Sequence, residues 1–418
     1  MEKKLSITGI ADNIKSNKKP KFLTKIFRKL VLNKFSSMKH GYIHLKDTQK
    51  EFKIGNEKSD LRVNLEITSD EFYVLIGSGG LMGASEAYAL GLWKVDDLVK
   101  LIQIMVRNKD LMDNIDSGLS SIIKPINKWI HYRRQNTLIG SKKNIVAHYD
   151  LSNEFYSLWL DKTMTYSCGI FTNNKTTLEE ASIEKLDRIC RKLNLCKNDS
   201  VLEIGTGWGS FAIHAAKNYG CKITTTTISD AQYNFAQNRI IQEGLQDNIT
   251  ILNKDYRLLE GQYDKIASIE MIEAVGHKNV KTYFKKVSSL LKDNGLFAMQ
   301  GITYNDQNFD VYKNSVDFIN KYIFPGSCLI SISQVSEIIK KNTSMLFIDL
   351  EDITAHYATT LKIWRENFFK QVPKIKELGF SDSFINLWEF YFVYCEAGFI
   401  EKNIGDYQFV FSKKEGLK

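Results

Sequence analysis

The stretch Glu203-Ile204-Gly205-Thr206-Gly207-Trp208-Gly209 is the part of this chain whose spacing most clearly suits ligand chemistry. Glycines at alternate positions let backbone approach a ligand closely, and a helix beginning behind them offers free N–H groups. A dinucleotide fold needs G-x-G-x-x-G and an acid closing the second strand. Here the pattern is E-x-G-x-G-x-G, and the second strand ends Thr225-Thr226-Thr227-Ile228-Ser229 without an acid. Both departures count against a nicotinamide cofactor. Further on, Glu270 and Glu273 lie on or just after a strand, at the edge where that ligand would sit. Paired acids so placed either do chemistry or cap the following helix. The other glycine run, Gly77-Ser78-Gly79-Gly80, lacks the lysine and spacing of a phosphate loop and reads as a structural turn. No C-x-x-C pair occurs among the six cysteines, and the histidines share no ligand spacing, so no metal site is expected.

The elements that must position these residues follow from the hydrophobic pattern. From Asp199 onward strand and helix alternate, which predicts a parallel sheet with helices on both faces. Strands are expected at Val201–Ile204, Lys222–Thr227, Ile249–Leu252, Lys265–Ile269 and Gly295–Gln300, and two late ones near Leu346–Leu350 and Tyr407–Phe411. Residues 41 to 77 read instead as four short strands, the last Phe72-Val74-Ile76, followed by helices around Ala84–Leu92 and Val95–Val106. That is a small α+β domain, bounded here as residues 38–125. A polar, basic linker over 126–145 leads to the larger domain, 146–418.

Charge is uneven along the chain. The net charge is +9, yet no acid occurs between Asn13 and Lys46. Within the first 37 residues, Phe22, Leu23, Ile26, Phe27, Leu30 and Val31 recur at helical spacing among Lys25, Arg28, Lys29 and Lys34. A basic amphipathic helix suits an anionic membrane surface, or else docks on its neighbouring domain. The basic run is amphipathic rather than a polar stripe, so nucleic acid is not expected as a partner. Scattered cysteines and the lack of an apolar leader or a stretch of ~20 apolar residues point to a cytoplasmic chain, peripheral to the inner face of the membrane.

Many blocks, in order, resemble the cyclopropane-fatty-acyl-phospholipid synthases and the related mycolic acid cyclopropane synthases. They include His148-Tyr149-Asp150-Leu151-Ser152-Asn153, Met164-Thr165-Tyr166-Ser167-Cys168, the glycine loop, Glu270-Met271-Ile272-Glu273-Ala274-Val275-Gly276-His277, His356-Tyr357-Ala358-Thr359-Thr360-Leu361 and Gly405-Asp406-Tyr407-Gln408. The resemblance implies a Rossmann-like class I methyltransferase with a mostly parallel seven-stranded sheet, S-adenosylmethionine as co-substrate, and a possible homodimer. The implied substrate is a cis-unsaturated acyl chain in membrane phospholipid. Methyl transfer to the alkene and loss of a proton to a bound bicarbonate would close a cyclopropane ring.

Carried over residue by residue, the bicarbonate contacts are the backbone at Cys168, Glu273, Tyr357 and the peptide at Ile302. Gln300 stands where many relatives have histidine; the Glu-Met-Ile-Glu-Ala-Val-Gly block resembles a plant-like branch in which glutamine also occurs. A glutamine amide donates a hydrogen bond but carries no proton at neutral pH. That substitution leaves a methyl- or methylene-branched product, or another acceptor, as the alternative reading. For the cofactor the resemblance implies Tyr166 and Ser167 over the methionine part, and Glu203, Gly205, Gly207 and Gly209 in the loop. It adds Thr227, Ile228 and Gln232 at the ribose, and Asp255, Tyr256 and Ile269 around the adenine.

Overall fold

The computed structural model describes residues 21–109, 151–414 and 416. The first twenty residues, the linker over 126–145 and the His148-Tyr149-Asp150 block lie outside the described residues. In chain order the elements are α1 (Lys21–Phe35), β1 (Tyr42–Lys46), β2 (Glu51–Gly55), β3 (Arg62–Ile67), α2 (Glu71–Ala89), β4 (Trp93–Val95) and α3 (Leu98–Arg107). After 150 come α4 (Leu178–Lys192), β5 (Ser200–Ile204), α5 (Ser210–Tyr219), β6 (Lys222–Thr227), α6 (Asp230–Gln242), β7 (Ile249–Asn253), β8 (Tyr263–Ile269), α7 (Val280–Leu290) and β9 (Leu291–Tyr304). The chain continues with α8 (Ile332–Asn342), β10 (Met345–Asp352), α9 (Thr354–Lys370), α10 (Asp382–Ile400) and β11 (Ile404–Lys413), with short helical turns between.

Two compact units result. One gathers the described residues 21–109 with Val316–Ile323 and Phe368–Asn403; the other takes 151–315, Phe324–Asn367 and Ile404 onward. Neither unit is a single run of chain.

The first unit holds a four-stranded sheet ordered β2-β1-β3-β4. On β3, buried Val63, Leu65 and Ile67 alternate with exposed Arg62, Asn64 and Glu66, as a half-buried strand requires. The strand expected at Phe72-Val74-Ile76 is instead the start of helix α2. Phe72, Tyr73, Val74 and Ile76 are all buried, so the apparent alternation reflects a helix enclosed on several sides rather than a two-residue period. The glycine run expected as a turn lies inside the same helix, which is broken at Gly80 (φ 57°, ψ −136°). Close packing accounts for Gly77: a Cβ there would lie 2.2 Å from the Phe27 ring of α1.

Helix α1 presents two apolar faces. Phe27, Val31 and Phe35 are buried, whereas Phe22 is 70% exposed, Ile26 36% and Leu30 49%. Its basic residues divide likewise. Lys25 and Lys29 are exposed, while the Arg28 Nε donates to Asp47 Oδ2 at 2.8 Å beneath the rings of Phe52 and Tyr73.

The second unit is built on a seven-stranded sheet ordered β10-β11-β9-β8-β5-β6-β7. Strands β9, β8, β5, β6 and β7 are parallel, and β11 runs antiparallel to both β9 and β10. Each face carries its own apolar core. Leu202, Ile204 and Ile266 pack with Val280, Phe284 and Val287 of α7, while Val201 and Ala267 pack with Ile189 of α4 and Phe211 and Ala215 of α5. Successive strand residues point to opposite faces, which is why Val201 and Leu202 serve different cores. Among the described residues, no helix is long and apolar enough to cross a membrane.

Candidate active site

The glycine loop leaves β5 at Ile204 and enters α5 at Ser210. Gly205, Gly207 and Gly209 have φ of +103°, +54° and +89°, the left-handed side that glycine adopts without a Cβ penalty. The N–H groups of Gly205 and Thr206 donate to the Thr226 carbonyl at 3.1 and 3.0 Å, tying the loop to β6. A Cβ on Gly205 would meet Met271 at 3.0 Å, so the loop lies directly against the Glu270–Glu273 turn.

Glu203 is buried and accepts the Thr225 hydroxyl at 2.6 Å. Burial pushes its pKa up to about 8. On the next strand, Thr227 Oγ1 donates to Gln232 Oε1 at 2.9 Å and accepts the Ser229 N–H at 3.1 Å, with Ile228 half-buried beside them. Asp255 is held by Arg257, whose Nε donates to Oδ1 at 2.8 Å and whose Nη2 donates to Oδ2 at 2.6 Å. The Tyr256 ring packs edge-on against Tyr283, and burial raises its hydroxyl to about 12. Ile269, expected beside the adenine, is paired in register with Gln300 across β8 and β9 and directly precedes Glu270.

Tyr166 stands in an aromatic cluster, with ring centroids 5.4 Å from Tyr156, 5.3 Å from Trp159 and 5.2 Å from Trp364. Such faces attract a sulfonium cation. Its neighbour Ser167 accepts the buried Lys185 ammonium at 2.7 Å. Burial holds that lysine below its ordinary pKa.

The acids converge on the end of β8. Glu270 has φ +47°, a conformation that costs a non-glycine residue about 1–2 kcal/mol. Its carboxylate is held in place by three donors. Cys168 N–H and Gln300 Nε2 donate to Oε1, each at 2.8 Å, and the Tyr357 hydroxyl donates to Oε2 at 2.5 Å. Bonds to a charged acceptor contribute about 1.5–3 kcal/mol each, enough to hold the strained backbone. Glu273 takes the Ile302 N–H on Oε1 at 2.6 Å, while its Oε2 is sealed from solvent without a partner. Burial, then repulsion from Glu270, brings Glu273 up to about 8.

Gln300 is wholly buried. It also donates to Asp406 Oδ2 at 3.2 Å and accepts Gln408 Nε2 at 3.1 Å. Burial and then Glu270 and Glu273 raise the Asp406 pKa well above its ordinary value. Burial raises the Glu270 pKa above its ordinary value, while Tyr357, the Cys168 N–H, Lys185 and Gln300 pull it back. Cys168 acts through its backbone: its thiol is buried, and burial raises it far from the thiolate form.

All five residues expected around the reacting centre are thus brought together, with one difference. Three of the donors expected to hold bicarbonate, Cys168 N–H, Gln300 and Tyr357, already hold Glu270, and the fourth, the Ile302 N–H, holds Glu273. Bicarbonate does not fit this arrangement. Sequence reasoning paired Glu270 with Glu273 but did not see it as the hub, and it missed Lys185, Asp406 and Gln408. The alternation of Asp406 and Gln408 on one strand face was a usable signal; a lysine on an amphipathic helix such as α4 gave none.

This site, on this sheet, can be set beside known proteins. A profile of the mycolic acid cyclopropane synthetase family matches residues 137–409. The chain belongs to that family. It is 35% identical over 370 residues to the cyclopropane-fatty-acyl-phospholipid synthase of Escherichia coli strain K12, covering 87% of this chain and 91% of that one. It is 34% identical over 345 residues to the tuberculostearic acid methyltransferase UfaA1 of Mycobacterium tuberculosis, covering 80% and 79%. The mycolic acid cyclopropane synthase CmaA1, solved with SAH and CTAB, superposes with a TM-score of 0.60 at 28% identity over 65% of this chain and 98% of that one. The protein is therefore an S-adenosylmethionine-dependent methyltransferase of a lipid-modifying family, with the class I methyltransferase fold.

Proposed function

We propose that this chain transfers the methyl group of S-adenosylmethionine to the cis double bond of an unsaturated acyl chain in membrane phospholipid and closes a cyclopropane ring. The observation that carries the reading is the contact of the cofactor loop with the acid turn, Gly205 against Met271. A methyl donor held on that loop would lie beside carboxylates and aromatic faces, the surroundings a carbocation needs if water is not to trap it.

In the reaction the alkene π pair forms a C–C bond to the methyl as the S–CH3 bond breaks, releasing S-adenosylhomocysteine. The cation left on the neighbouring carbon is stabilised by the carboxylates and by the rings around Tyr166. Loss of a proton from the new methyl supplies the electron pair that closes the ring.

Helix α1 supports a peripheral site of action on the inner, anionic membrane face. Its exposed Phe22, Ile26 and Leu30 recur every four residues, with the exposed Lys25 and Lys29 interspersed, the pattern of a helix lying in a headgroup interface.

A second reading, a methyl- or methylene-branched product, is favoured by Gln300 and by the likeness to a tuberculostearic acid methyltransferase. Mass spectrometry and proton NMR of lipids from cells expressing the chain separate the two. A gain of one CH2 with loss of the olefinic protons supports the ring. Persistence of olefinic signals in the methylated lipid, or a saturated branch, sinks it in favour of the second reading.

A further inference from the structure

The anion cradle of this site is filled by the chain itself. A bicarbonate ion can be held between two carboxylates only by donors that neutralise it. The donors present are the Cys168 N–H, the Gln300 amide, the Tyr357 hydroxyl and the Ile302 N–H, and each ends on Glu270 or Glu273. What remains unpartnered there, Glu273 Oε2 and Asp406 Oδ1, are carboxyl oxygens. Adding another anion would crowd like charges in a poorly solvated space.

The Glu270 backbone leads to the same conclusion. A left-handed φ of +47° at a glutamate, immediately after a strand, persists only where the surroundings hold it. Here they hold it by its side chain, with both oxygens fixed on the three donors. Glycine would adopt that backbone without strain and would leave the three donors pointing at an open space of carboxylate shape.

We propose that the Glu270 carboxylate replaces a bound bicarbonate as the catalytic base, so that this enzyme carries its own proton acceptor. The inference rests on the methyl-transfer reading above. In the step concerned, Glu270 takes a proton from the transferred methyl, and the C–H electron pair becomes the new C–C bond. The neutral acid then returns the proton to water as products leave. No other reactant is consumed. Glu270 remains partly exposed, so it can face substrate. Tyr357 and Gln300 act on it as positioning residues. The Glu273 oxygen without a donor, Oε2, is sealed from solvent, and Asp406 is wholly buried, so neither faces substrate as Glu270 can.

Two measurements test this. Equilibrium dialysis with radiolabelled bicarbonate is expected to show no bound ion on the wild-type enzyme and one per chain on Glu270→Gly, a variant whose backbone is relieved rather than strained. Turnover of unsaturated phospholipid vesicles in carbon-dioxide-free buffer is expected to be unchanged for wild type by added bicarbonate. For Glu270→Gly it should fall by about 10²–10⁴-fold, the scale of a lost general base, and recover with bicarbonate. Stoichiometric bicarbonate on the wild type, stimulation of its turnover by bicarbonate, or full turnover of Glu270→Gly without it would each overturn the proposal. Should wild type methylate no unsaturated lipid, the functional reading fails, and the dialysis still decides what fills the cradle.

Discussion

Replacing Arg28 by methionine removes a cation whose part in α1 differs from that of its neighbours. Its guanidinium lies 2.7 Å from Asp47 Oδ2, with the Arg28 side chain 17% exposed and that of Asp47 fully enclosed. Asp47 keeps other donors: the Tyr73 hydroxyl at 2.7 Å and the N–H groups of Gln49 and Lys50 at 2.8 Å. Breaking a buried pair costs about 3–5 kcal/mol, and the retained donors place this case near the low end, about 3 kcal/mol. The exposed Lys25 and Lys29 should change stability by no more than about 0.5 kcal/mol when made alanine. On an anionic bilayer the order reverses. Each lysine contributes about 1 kcal/mol, so the double variant should bind roughly thirtyfold more weakly. The assays are thermal or denaturant unfolding of the first unit and sedimentation with vesicles of anionic and of neutral lipid. Acid sensitivity gives a further check. Burial opposes ionisation of Asp47, but Tyr73, the two N–H groups and Arg28 hold its pKa below the ordinary value. Its stabilisation is therefore full above that value and lost as pH falls below it, and Arg28→Met should begin to unfold at higher pH. Loss of vesicle binding without loss of stability in Arg28→Met, or unfolding caused by the lysine variants, would refute this division of the helix.

Other outcomes are expected in the catalytic unit. Tyr357→Phe should lower turnover by roughly 10- to 150-fold, the equivalent of one bond to a charged group of about 1.5–3 kcal/mol. S-adenosylmethionine affinity should hold, and the acid-side rise of the pH profile should move to higher pH because Tyr357 no longer draws the Glu270 pKa down; an unmoved profile contradicts the positioning role. Glu203 titrates near 8 in the fold against an ordinary 4.5, so wild-type stability should decline by up to about 1.4 kcal/mol per pH unit between those values. Glu203→Gln should flatten that slope, as melting midpoints across pH would show. Gly205→Ala combines φ +103° with a Cβ 3.0 Å from Met271, and calorimetry should find S-adenosylmethionine binding weakened by about tenfold or more, a level typical of backbone strain of 1–3 kcal/mol.

The alternating half of the fold was legible because several of its strands are short runs of apolar or β-branched residues closed by a glycine or a helix cap. Thr225-Thr226-Thr227 and Ser229, which caps α6, are examples. The start of helix α2 reads as a strand because Phe72, Val74 and Ile76 mimic a two-residue period when a helix is buried on several faces, whereas its end falls within the helix expected around Ala84–Leu92. Cys168, Glu273 and Tyr357 were legible one by one, since each lies in a recognisable block, whereas Lys185 on amphipathic α4 was not. Their mutual arrangement was not, because hydrogen bonds such as Cys168 to Glu270 join positions 102 residues apart. Nor could sequence separate Arg28 from Lys25 and Lys29: charge is visible in the chain, but an enclosed partner such as Asp47 is not.

Strand β11 has a consequence for synthesis. It lies between β9 and β10 and pairs with β9 from Ile404↔Tyr304 to Ser412↔Leu296. A nascent chain that has not yet emerged past Ile404 has made both flanking strands but lacks the one that joins them. It also lacks Asp406 and Gln408, which surround Gln300. The methyl-transfer machinery is completed only after β11 has followed β9 and β10 out of the ribosome. Chains released early should therefore be silent toward lipid and marked for removal by an open sheet, whatever portion of the cofactor loop they have formed.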